Sequence, residues 1–176
     1  DSDLDAVRQL MLLPERSLLY RSVALTVVRS RSASDFPSAR RLFLALDASG
    51  SGVLGKEVLT MALHSRGLGA GKAKLVAEAM DFGRDGTVSW SEFAASCVDL
   101  GDPMLRRDME ILFAQADADE DGRLRQGDLA RLLLTEGCVD GEAAAELLPD
   151  IAGHGDPEAE FGLEAFLLHF ADTLAL

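Results

Sequence analysis

Apolar positions along the chain recur mostly at intervals of three and four, the period of a helix with one buried face. Leu18, Leu19, Val23, Val27 and Val28 keep that spacing, and Pro14-Glu15 suits the first turn of the helix they define. The polar run Ser32 to Asp35 breaks the pattern. Leu42, Phe43 and Leu46 then mark one face of a helix over 36–46, and further helices are predicted over 58–65 and 72–80. Asp102-Pro103 reads as an N-cap and first helical residue, followed by Met104, Met109, Leu112 and Phe113 on one helix. Later helices are predicted over 126–134 and 141–148, and Phe166 and Phe170 give the last helix its apolar face. Gly67 to Lys72 joins two helices as a flexible connector. It is no phosphate loop, since no strand precedes it and the spacing of such loops is not met.

The polar loops between these helices carry the chemistry. Asp117 to Asp128 places oxygen-bearing side chains at loop positions 1, 3, 5 and 12 (Asp117, Asp119, Asp121, Asp128), glycine at 6 (Gly122) and leucine at 8 (Leu124). A hard divalent cation takes six to eight oxygens, and alternate residues of a tight loop can point inward. Glycine at 6 supplies a left-handed turn, and position 7, Arg123, offers its backbone carbonyl. The pattern resembles an EF-hand calcium loop. Asp128 is one methylene shorter than the usual glutamate, which lowers coordination and makes magnesium a possible occupant.

Three other frames repeat it at roughly 35-residue intervals, the scale on which repeated units build paired cores. Asp81 to Glu92 has Asp81, Asp85, Ser89 and Glu92 at positions 1, 5, 9 and 12, with Thr87 giving a carbonyl at 7, but Gly83 at position 3 offers no side chain. It is expected to bind calcium, weakened. Asp47 to Val58 has serines at 3 and 5 and Val58 at 12, so it is expected to keep its shape and bind poorly or not at all. The last frame has His154, Asp156 and Glu158 at 1, 3 and 5 and Ala165 at 12, and is expected to be a structural hand without metal. His154 reads as solvated, because a hard oxygen site has little use for imidazole. One such unit cannot bury its own apolar face, so the hands pair. Leu54 is expected beside Val88, and Leu124 beside Phe161. The fold expected is all-α: four helix–loop–helix units in two paired lobes, 35–100 and 101–176, preceded by a basic amphipathic helix in a junction over 1–34.

Composition narrows the partners. The 176 residues are 48% apolar and carry a formal net charge of −13. Such acidity argues against nucleic acid and fits cations or basic partner segments. Arg8, Arg16, Arg21, Arg29 and Arg31 make the N-terminal stretch the basic part. It reads either as a calmodulin-target-like segment carried in cis or as an ordinary packing helix; periodicity does not separate the two. Cys97 and Cys138 lack metal-ligand spacing and read as reduced thiols of an intracellular, cytoplasmic chain. The most apolar stretch, Leu18 to Val28, falls well short of the ~20 residues of a membrane span and contains Arg21. The chain opens on Asp1 and is read as a piece of a longer protein, so targeting signals could lie upstream. His64 and His169 sit on helices, and no nucleophile–base–acid set or zinc motif is present.

The hands look like those of calmodulin. The order Ala6-Val7, then Leu18-Leu19 through Ala24-Leu25-Thr26-Val27-Val28, then Leu42-Phe43-Leu44-Ala45-Leu46-Asp47 is similar to the junction and first hand of calcium-dependent protein kinases. The resemblance covers nearly the whole chain. Val58 and Ala165 at position 12, and Ala116 before the third loop, depart from the family pattern. The resemblance implies a calcium-sensing regulatory region without catalytic machinery of its own, whose junction helix responds to calcium and gates an upstream Ser/Thr kinase domain. A free-standing calmodulin-like light chain and a calcium-insensitive EF-hand scaffold remain as alternatives.

Overall fold

The computed structural model describes residues 2–135 and 160–171. Helices dominate: α1 (Ser2–Leu12), α2 (Leu18–Arg29), α3 (Pro37–Leu46), α4 (Lys56–Ser65), α5 (Ala70–Met80), α6 (Trp90–Cys97), α7 (Arg106–Ala116), α8 (Gln126–Thr135) and α9 (Leu163–Ala171). Among the described residues four short strands lie between them: β1 (Val53–Gly55), β2 (Thr87–Ser89), β3 (Arg123–Leu124) and β4 (Phe161–Gly162). The strands pair antiparallel as β1–β2 and β3–β4, and the register sets Leu54 opposite Val88 and Leu124 opposite Phe161, as the loop spacing predicts.

The chain forms two compact units, one of Asp1–Arg16 and Val28–Val98, the other of Ser17–Val27 and Asp99–Leu176. In the first, α3–loop–β1–α4 and α5–loop–β2–α6 share a core of Phe43, Leu54, Leu59, Leu63, Val76, Met80, Val88 and Phe93. Phe43 meets Phe93 and Trp90 edge-on, at 5.4 and 5.5 Å between ring centroids. Leu10 and Leu13 belong to the same core, and α1 packs on α3 and α6. In the second unit, Phe166 at the heart of α9 meets Phe113 and Phe170 edge-on, at 5.6 and 5.0 Å. Tyr20 of α2 tilts against Phe170, and its hydroxyl accepts the Leu100 N–H at 2.9 Å. Burying each of these rings contributes about 1.5–3 kcal/mol.

The N-terminal stretch differs from its sequence reading. Pro14-Glu15 does not open a helix. Leu13–Glu15 is a 3-10 turn directly after α1, and Arg16 is extended. Proline is compatible with a helix start, but here it sits near the start of this short turn, and the extended Arg16 separates it from the helix that follows. The helix that follows starts instead from Ser17, whose hydroxyl caps the Tyr20 N–H at 3.1 Å, a contact worth about 1 kcal/mol. α2 is buried from Leu19 to Val28 except at Arg21, wider than a single amphipathic stripe. Arg16 is buried too, donating to Gln9 Oε1 at 2.9 Å.

Smaller differences follow from caps. Gly67, at φ +97°, ends α4, and Leu68 N–H returns to the Leu63 carbonyl at 3.2 Å. The connector is thus partly a helix cap, and α5 starts at Ala70, ahead of the predicted 72. Asp102 caps Met104 N–H at 2.9 Å, but the proline begins a 3-10 turn, Pro103–Leu105, in which Met104 is 75% exposed. His154, Asp156, Glu158, Cys138 and the helix predicted over 141–148 lie outside the described residues.

Candidate metal centre

Among the described residues three loops enter from a helix on an aspartate that is itself buried: Asp47, Asp81 and Asp117. Each aspartate ties its own loop in the same way. Asp47 accepts the N–H of Ser51 at 3.0 Å on one oxygen and of Gly52 at 2.7 Å on the other. Asp81 accepts those of Asp85 and Gly86, both at 3.0 Å. Asp117 accepts those of Asp121 at 3.1 Å and Gly122 at 2.9 Å. The geometry needs a left-handed residue at loop position 6, and Gly52, Gly86 and Gly122 take φ of +77°, +89° and +78°. Position 4 is left-handed as well, and there two loops use side-chain-bearing residues, Arg84 at +53° and Glu120 at +59°.

The loop of Asp117 gathers most negative charge. Asp117, Asp119 and Asp121 each offer a carboxylate oxygen, and these oxygens lie within 4.8 Å of one another. Among the described residues no other trio of metal-ligating side chains converges so closely. Asp119 and Asp121 are exposed, so an ion could reach them. Asp128 is not part of this trio. One of its oxygens accepts the Arg125 N–H at 2.8 Å and the other meets Arg131 at 3.0 Å. The side chains of Arg123 and Arg125 are drawn to Glu160 at the head of β4, with Arg123 Nη1 at 3.0 Å and Arg125 Nε at 2.9 Å. These two guanidiniums, Arg125 first, hold the Glu160 carboxyl below the usual range. Arg125 also stands 3.9 Å from Asp121.

The loop of Asp81 holds its acids differently. Asp85 turns to Thr87, whose hydroxyl and N–H donate at 2.7 and 2.8 Å and hold that carboxyl low. Glu92 reaches back across the loop: Oε1 accepts the Gly83 N–H at 2.9 Å, and Oε2 accepts the Ser89 N–H and hydroxyl at 2.8 and 2.7 Å. A Cβ on Gly83 would lie 3.6 Å from Glu92 Oε1. Asp81, whose side chain is 1% exposed, meets Lys56 Nζ at 2.8 Å, and this carboxylate holds the ammonium's pKa above its ordinary value. Lys56 lies in neither loop's ligand frame, so sequence spacing passes over it. Only the β1–β2 register brings it there. Glu160 escapes notice for the same reason.

The loop of Asp47 carries fewer carboxylates. The Gly52 N–H first, then the Ser49 hydroxyl, hold the Asp47 carboxyl low, but Val58 at position 12 is half exposed and offers no oxygen. Ala165 at the same position of the fourth frame is exposed on α9. Cys97 is a free thiol whose pKa is pushed up by burial. His64 Nδ1 lies 2.9 Å from the Leu68 carbonyl, and the His169 ring abuts Phe170. No described helix is long and apolar enough to cross a membrane.

No family model matches the chain. It is 24% identical over 140 residues to calcium-dependent protein kinase 17 of Arabidopsis thaliana, across 78% of this chain and 26% of that protein. The same identity over the same length relates it to calcium-dependent protein kinase 34 of that plant, of which 27% is covered. The chain therefore spans about a quarter of the length of these curated relatives. A crystal structure of a C-terminal domain aligns with 88% of this chain and 89% of its own length, at 18% identity and a TM-score of 0.38.

Proposed function

We propose that this chain is the EF-hand, calcium-sensing regulatory region of a calcium-dependent Ser/Thr protein kinase, with the Asp117–Asp128 loop as its principal ion site. The convergence of the Asp117, Asp119 and Asp121 oxygens carries the reading, and the similarity to two calcium-dependent protein kinases supports it. The donor set is all oxygen, which suits calcium and, given the short Asp128, magnesium. The ion would be held by these three aspartates, the Arg123 carbonyl and Asp128. A second would be held by Asp81, Asp85, the Thr87 carbonyl, Ser89 and Glu92. A bound ion supplies two positive charges that offset carboxylate repulsion and reward closure of the loop onto its last ligand.

The residues of the chain do the rest. Asp117 already folds its loop. Asp128, on the first turn of α8, must leave Arg125 N–H and Arg131 to join the trio, which shifts the start of α8. In the first unit Glu92 stands likewise on α6, against which α1 packs. In the second, Leu129 of α8 and Leu19 of α2 line one cavity of about 150 Å³ with Phe161, Phe166 and Phe170. Movement of either exiting helix is felt by a helix of the N-terminal stretch, and through it by a kinase domain upstream.

Calorimetric titration with calcium in physiological magnesium, with an apolar-surface dye followed alongside, tests this. The wild type should bind in the sensor range of roughly 10⁻⁷ to 10⁻⁵ M and expose apolar surface. Asp121→Asn keeps an oxygen for the Arg123 N–H and should fold, yet lose most affinity at that loop. Equal calcium binding by wild type and variant would overturn the assignment.

A further inference from the structure

The second loop carries a cation of its own. Lys56, the first residue of α4, donates its backbone N–H to the Gly86 carbonyl at 3.3 Å and its ammonium to Asp81 at 2.8 Å. The first contact fixes where the side chain starts, and the second places a full positive charge on the buried aspartate that opens the loop. Asp47 meets serine hydroxyls in that role instead. The closing ligand of the same loop, Glu92, already has both oxygens engaged by Gly83 and Ser89 donors. Opening and closing carboxylates are thus both satisfied from within the chain.

We propose that Lys56 is a tethered stand-in for the divalent ion of the Asp81–Glu92 loop: it lets the first unit hold its paired-loop form without metal and sets how weakly that loop takes one. The proposal rests on the calcium-binding reading of that loop. The first loop, which has Val58 rather than a carboxylate at its closing position, contributes this charge to its partner across the β1–β2 pair. A metal entering the second loop must displace the ammonium from Asp81 and draw Glu92 away from three donors. An ammonium one carboxylate away from the ion, partly screened by solvent, is worth about a factor of ten in affinity.

Trp90 is the sole tryptophan and stands in this loop, so luminescence from terbium, excited through indole where tyrosine does not absorb, reads this site in the whole chain. K56M should bind terbium about tenfold more tightly than wild type and melt at a lower temperature in chelator. K56Q, which keeps a donor for Asp81 without the charge, should show the same gain in affinity with a smaller loss in melting temperature. K56R should match the wild type in both. Equal or weaker terbium binding by folded K56M or K56Q, or no Trp90-sensitised signal from any of the four proteins, overturns the proposal. Failure of the Asp117 site is read separately, by calorimetry of Asp121→Asn, and leaves the Trp90 result standing.

Discussion

Gly122 and Gly127 lie five residues apart in the same loop-to-helix passage, and a Cβ added at either meets nothing within 4 Å. Their backbones differ: Gly122 takes φ +78°, whereas Gly127 lies in the first turn of α8 outside the left-handed region. Alanine at 122 therefore costs backbone strain alone, about 1–2 kcal/mol. It also strains the turn that points the Gly122 N–H at Asp117. Alanine at 127 relieves a flexible helical position and stabilises by up to about 0.5–1 kcal/mol. For a chain of 176 residues each kcal/mol moves the melting midpoint by roughly 2–4 °C. Thermal unfolding followed by circular dichroism in chelator should show Gly122→Ala lowered and Gly127→Ala equal or raised. If both substitutions are equally harmless, the left-handed turn is not what holds the loop. If Gly122→Ala costs more than about 4 kcal/mol, beyond the single-residue penalty, something other than backbone strain is at work.

Two further outcomes follow from single contacts. Tyr20→Phe removes the acceptor of the buried Leu100 N–H and should destabilise the second unit by about 1–3 kcal/mol, seen as faster hydrogen exchange at Leu100 and in α9. The Asp47 carboxyl is depressed by the Gly52 N–H, so between its folded and unfolded pKa the unfolded chain holds more protons. Its contribution is complete above the ordinary carboxylate range and is lost as pH falls through the folded value. Urea unfolding of the first unit, followed by Trp90 fluorescence from neutral to acid pH, should therefore lose stability less steeply in Asp47→Asn; an unchanged slope refutes it.

Local rules carried the loops well. Gly52, Gly86 and Gly122 are left-handed because the position-1 aspartate must collect two successive N–H groups, a demand confined to a few residues. The pairs Leu54–Val88 and Leu124–Phe161 follow from that frame. The rule says nothing of position 4, where Arg84 and Glu120 adopt a conformation that their side chains do not advertise. Pro14 was ambiguous in kind, since the same ring starts one helix and ends another; the choice was settled by burial of Leu13 and by the Ser17 cap. Met104 has helical spacing but follows a proline that takes a tighter turn. Lys56 against Asp81, and Arg123 and Arg125 against Glu160, bridge residues far apart in sequence. No motif encodes such pairs; strand register delivers them.

The order in which the chain visits its two units has a practical consequence. It builds part of the first, then part of the second, then returns to the first and finally to the second. No single cut yields a whole unit. A polypeptide of residues 28–98 would keep both of its loops and the β1–β2 pair but leave open the part of its core that Leu10 and Leu13 fill. Residues 2–16 supplied as a separate peptide have the shape to complete it. Whether the first unit closes only when its N-terminal helix is present can thus be measured in trans, by the binding of that peptide to residues 28–98.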